Sequence, residues 1–125
     1  MSTESFFLTL FVTVAPTFSS QLPSTKQTKT EDETVSYLCI TEAKPAATIL
    51  WQLDKENLTE TSPYNFSVSV APIAQSKLLR TLAYLTINRV TWRQDGNFSC
   101  LAYNGAGEKS QTTELEVRCK YRPSL

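Results

Sequence analysis

A chain of 125 residues with an ordinary apolar fraction is sized for one domain. Its 12 Lys and Arg balance its 12 Asp and Glu, so neither a basic surface for nucleic acid or anionic membrane nor an acidic solvating tail is expected. It has no histidine and only 3 widely spaced cysteines, which removes Ser-His and Cys-His catalysis and the usual zinc and redox ligand sets; neither an enzyme nor a cofactor is expected.

Residues 6–15 are apolar and admit two readings. A signal-peptide core is one, although residues 1–5 carry Glu4 and no Lys or Arg, and Pro16 would follow a cut at Ala15. The other is the last strand of a preceding domain, because Leu8, Leu10, Val12 and Val14 alternate with Phe7, Thr9, Phe11 and Thr13 before a linker at Ala15-Pro16. The expected organisation is therefore 1–14 as signal peptide or preceding strand, 15–118 as the domain, and 119–125 as a linker to a following domain. No apolar run of about eighteen residues occurs, and the chain reads as secreted or as a piece of an ectodomain.

Residues 17–32 are polar and interrupted by Pro23, which suits one edge strand that resists further pairing. Strands follow at 34–41, with Val35, Tyr37 and Cys39 inward, and at 47–53, with Ile49, Trp51 and Leu53 inward; Lys44-Pro45 turns between them. A polar connection over 54–63 leads to a strand at 64–70, with Phe66, Val68 and Val70 on one face, ended by Pro72. Strands at 77–87, 97–104 and 108–117 complete the pattern, the last two joined by Asn104-Gly105-Ala106-Gly107, residues that accept the positive φ of a tight hairpin. Short strands with turns about every eight to twelve residues read as an all-β sandwich.

Several fixed offsets agree. Leu85, Ile87 and Val90 precede Asp95-Gly96-Asn97-Phe98-Ser99-Cys100, and Cys100, Ala102, Asn104 and Gly107 form a Cys-x-Ala-x-Asn-x-x-Gly hairpin, with Cys39 and Trp51 upstream. This resembles the E, F and G strands of an immunoglobulin domain over residues 15–118, and the stretch 43–51 is similar to second-type domains of nephrin-like and nectin-like adhesion receptors. The resemblance implies an immunoglobulin-like antiparallel β-sandwich of about seven strands. The short Trp51-to-Leu85 connection favours the C2 or I-set arrangement. It also implies a Cys39–Cys100 disulfide across a core containing Trp51, Phe98 and Leu85; the alternative is two buried thiols in a cytosolic repeat.

Two positions depart from the family. Phe98 replaces the usual tyrosine and removes its hydroxyl bond to backbone. Gln94 stands where an acidic residue is usual and Asp95 comes one later, so a salt bridge from Arg80 or Arg89 to that corner is not expected. Cys119 is left over, with a partner expected in a neighbouring domain or another molecule.

Asn57, Asn65 and Asn97 each begin an Asn-x-Ser/Thr sequon without proline. Phe66 and Phe98 point inward, so Asn65 and Asn97 face out, where a glycan fits. Leu50, Gln52, Leu101 and Tyr103 share outward parity on neighbouring strands, and with Asn104 and Gly105 they are the expected partner-binding residues. The expected function is that of an extracellular or cell-surface adhesion or receptor domain. Its partner would be a protein, a homophilic or heterophilic immunoglobulin-family domain. It would meet a membrane only through an anchor elsewhere in the full-length protein. The alternative function is a structural repeat of an intracellular filament protein.

Overall fold

Alternation of apolar and polar residues builds two sheets whose inner faces meet. The structure, a computed structural model, describes residues 12–119. Its strands are β1 (Val14–Phe18), β2 (Gln27–Thr30), β3 (Val35–Lys44), β4 (Thr48–Leu53), β5 (Glu56–Asn57), β6 (Tyr64–Pro72), β7 (Leu79–Ile87), β8 (Gly96–Asn104) and β9 (Gly107–Arg118). One sheet runs β1-β3-β7-β6 and the other β2-β9-β8-β4-β5. The described residues form an immunoglobulin-like sandwich with nine strands where about seven were expected.

The two extra strands have identifiable origins. Residues 17–32 do not make one edge strand. β1 pairs antiparallel with β3, then the chain crosses and β2 pairs parallel with β9, so the N-terminal segment edges both sheets. Ala15 and Pro16 therefore belong to β1 and are not a linker, and Pro16 is fully buried. β5 is a two-residue strand paired to the end of β4.

In β3, Val35, Tyr37, Cys39, Thr41 and Ala43 all turn inward and are buried. Cys39 is bonded to Cys100 across the sheets, with Cα atoms 6.7 Å apart. Trp51 lies beside Cys100 in the register of β4 with β8 and is 2% exposed. Phe98 and Leu85 are fully buried in the same cluster, and the Phe98 ring lies 5.6 Å from that of Tyr37. A second, thinner cluster consists of Ala43, Ala47 and Ala102, with Phe18 and Ile49 packed against it.

Val68 and Val70 depart from their inward parity: they are 57% and 51% exposed, whereas Phe66 is half-buried. β5 extends the opposite sheet only beside Gln52 and Leu53, and among the described residues no strand lies over this part of β6. Pro72 is the last residue of β6 rather than a residue beyond it. Proline is tolerated there because β6 is an edge.

The hairpin chemistry is also redistributed. Neither Gly105 nor Gly107 has positive φ; the two-residue turn with positive φ is Asp54-Lys55, at 49° and 71°, between β4 and β5. Both central residues at φ > 0 make a hairpin turn matched to strand twist, here without glycine.

At the corner before β8, Gln94 is buried and its Oε1 accepts from Thr91 N–H at 2.9 Å, capping the 3-10 turn Trp92–Gln94. Asp95 Oδ2 accepts from Val117 N–H at 2.8 Å. Arg80 pairs with Glu42 at 3.0 Å and Arg89 with Asp32 at 3.7 Å. An amide thus holds the corner where the resemblance implies a carboxylate.

Candidate protein-contact face

The outer face of β4, β8 and β9 assembles most of the expected contact residues. Leu50 lies opposite Leu101, which lies opposite Ser110; Thr48 opposes Tyr103, which opposes Glu108. Leu50 and Leu101 are half-buried and Tyr103 is 37% exposed. The three side chains form a small apolar centre with a phenol at one end, framed by hydroxyls and carboxylates from β9. Such a surface suits protein contact: apolar area at the middle and polar groups at the rim. Among the described residues, no group of three or more His, Cys, Asp or Glu is placed to hold a metal ion.

Gln52 sits at the β5 side of this face, where its Nε2 donates to Asn57 Oδ1 at 2.8 Å. Asn104 is not a free contact residue. Its Nδ2 donates to Val14 O at 2.8 Å and Pro45 O at 3.0 Å, and its Oδ1 accepts from Ala106 N–H. The amide ties the β8–β9 turn to β1 and to the β3–β4 turn, which holds the tip in place and engages both donors of the side chain. Gly105 is exposed, with open space where a Cβ would be.

Asn57, Asn65 and Asn97 are all exposed. Asn97 has the same outward parity as Leu101 and Tyr103, about 13 and 20 Å along β8 at the strand rise. A glycan on Asn97 would therefore border the face. Asn65 projects from the other sheet.

Sequence reasoning did not find three features. Asp54 receives Asn97 N–H on Oδ1 at 2.9 Å and donates its own N–H to Asn97 O at 2.8 Å, clamping the β4–β5 turn to the start of β8. Tyr37 OH donates to Gln27 Oε1 at 2.8 Å, and Gln27 Nε2 donates to Thr113 Oγ1 at 2.9 Å, which links β3, β2 and β9 inside the sandwich. Burial pushes the Tyr37 phenol up to about 12. Trp92 is 70% exposed with the Arg93 guanidinium 5.3 Å from its ring centroid. Only the last had a sequence signal, adjacent Trp and Arg in a loop; the others depend on long-range proximity.

Cys119 is a free, exposed thiol just beyond β9.

The family model of the immunoglobulin I-set domain matches residues 16–117. A leucine-rich repeat, immunoglobulin-like domain and transmembrane domain-containing protein 2 of Mus musculus is 30% identical over 109 residues, 87% of this chain; the chain spans 18% of that protein's length. A three-immunoglobulin fragment of titin superposes with a TM-score of 0.72 at 26% identity, over 86% of this chain and 34% of that one. A complex of titin with obscurin-like 1 matches at a TM-score of 0.67 and 15% identity, over 87% of this chain and 99% of that one, a likeness of fold alone.

Proposed function

The chain belongs to the immunoglobulin I-set family, whose domains bind other proteins, and from that premise we propose that it is an ectodomain module of a cell-surface adhesion or receptor protein. The observation that carries this reading is the Cys39–Cys100 bridge, because disulfides persist in oxidising compartments and are rare in the cytosol. Exposed sequons at Asn57, Asn65 and Asn97 support it, as does the relative whose name includes a transmembrane domain. The likeness of residues 43–51 to adhesion-receptor domains points the same way.

Recognition runs through the face of Leu50, Gln52, Leu101 and Tyr103, with Gly105 at its tip and an immunoglobulin-family domain as partner. Residues 15–118 are the module, joined at Val14 to its first strand, and 119–125 lead toward a further domain that pairs with Cys119. The test is intact mass of the protein from its native source, with thiol counting under denaturation and treatment with a peptide N-glycosidase. The expected result is an oxidised Cys39–Cys100 pair and a loss of mass on deglycosylation. Reduced cysteines and an unmodified mass would sink the reading.

A second reading, a structural repeat of an intracellular filament protein, draws on the likeness to the titin fragment. It requires that opposite result.

A further inference from the structure

β6 is an edge strand, and its edge is open over a short, defined window. Tyr64 N–H donates to Thr61 O at 2.9 Å and Phe66 N–H donates to Glu60 Oε2 at 3.3 Å, so these amides point away from β7. Antiparallel pairing alternates the direction of backbone groups residue by residue. The N–H and C=O of Val68 and Val70 therefore face the same open edge, and Pro72, which has no N–H, closes the window at its far end. The side chains of Val68 and Val70 are the ones that the opposite sheet leaves more than half exposed. Natural edge strands are usually blunted by charge or by a bulge. Here residues 61–76 contain no Asp, Glu, Lys or Arg, and β6 pairs with β7 without a register shift.

We propose that this edge is a homophilic docking site that takes the β6 edge of a second copy of the chain, antiparallel and centred on Ser69. The window is self-complementary about that residue. Val68 of each copy lies opposite Val70 of the other, and each pair exchanges two backbone hydrogen bonds, as facing residues of an antiparallel ladder do. Phe66 meets Pro72, which has no N–H to give, and the Phe66 N–H is already donated to Glu60 Oε2, so the new ladder ends there. The exposed valines cover one another on the inner side. No like charges meet along the strand, and antiparallel docking brings the end bearing Glu60 toward the end bearing Lys77 of the other copy, with opposite sign. The result is a two-fold dimer in which two four-stranded sheets become one, an isologous contact. This surface is separate from the β4–β8–β9 face and does not depend on that assignment.

The contact is small, so the dimer is weak, with a dissociation constant on the order of 0.1–1 mM. Sedimentation equilibrium of the full chain up to about 2 mM tests it, in a Cys119→Ser background so that no intermolecular disulfide contributes. The chain is expected to dimerise, and the Val68→Lys/Val70→Lys double variant, which sets lysine against lysine in both pairs, to weaken the dimer at least tenfold. Val68→Lys/Val70→Glu, which sets lysine against glutamate in both pairs, is expected to bring it back. Near-UV circular dichroism identifies any variant that has not folded, and amide exchange of the unmodified chain gives a readout free of substitution: Val68 and Val70 should slow as concentration rises. A chain that stays monomeric at about 2 mM overturns the proposal. So does a dimer that survives the double-lysine variant, or one that leaves those two amides unprotected; either places the contact on another surface.

Discussion

A Cβ on Gly96 would lie 2.6 Å from the Oδ2 of Asp54, and Gly96 itself holds φ at +147°. The two residues are one device. Asp54 turns its carboxylate onto the start of β8 to accept Asn97 N–H, and only a residue without a side chain leaves room for it.

Gly96→Ala should therefore destabilise the domain by about 2–3 kcal/mol, from backbone strain and steric clash together. Adding Asp54→Ala should recover the steric part and leave the φ cost. Urea unfolding of both single variants and the double variant measures this; a Gly96→Ala cost that is the same with and without Asp54 would show that Asp54 is not the obstructing group.

The Cys39–Cys100 bridge closes a loop with a sequence separation of 61. Replacing both cysteines by alanine should cost about 4 kcal/mol on the chain-entropy account. Chemical denaturation of the pair variant against the oxidised chain gives the number directly.

Tyr37 is expected to give a distinct alkaline signature. Its phenol is raised from 10.0 to about 12 by burial, so the unfolded chain releases this proton first. Its contribution to stability is complete below pH 10, declines through the interval between the two values, and is gone above about 12. Phenolate absorbance should show the Tyr37 phenol titrating late. Tyr37→Phe should abolish that late step and lose about 1 kcal/mol with the bond to Gln27.

Thr81 Oγ1 is fully buried and, among the described residues, has no hydrogen-bond partner; it faces Thr41, whose hydroxyl is in the same condition. Thr81→Val keeps the shape and removes the desolvated hydroxyl. The expected gain is about 1 kcal/mol, read as a higher thermal midpoint.

Tyr103→Asp places a charge at the polar end of the apolar centre on β4 and β8. Binding of the labelled chain to cells should weaken by about 2 kcal/mol or more, and because the new carboxylate faces Glu108 the thermal midpoint should fall a little while the domain stays folded. Undiminished binding by a folded variant would remove Tyr103 from the contact face.

Local patterning was sufficient for what repeats every second residue. The inward sets on β3, β4 and β8 were legible in the chain because one buried face imposes a period of two, and the positions of Cys39, Trp51 and Cys100 followed from it. Which strands lie over which residues was not legible. Val68 and Val70 have the inward parity of Phe66, yet they are exposed because β5 stops after two residues, a fact about the opposite sheet and not about β6. Asn104 has turn chemistry that fits a contact loop, but its amide is occupied by Val14 and Pro45, which only the folded chain brings near. The split of the N-terminal segment between two sheets and the clamp of Asp54 on β8 have the same origin. Side-chain direction is set by neighbours along the strand, whereas coverage and polar pairing are set by residues far away in sequence. The sequence alone therefore determined the sandwich and its cross-sheet core, and the tertiary structure decided which of its edges and faces remain open to a partner.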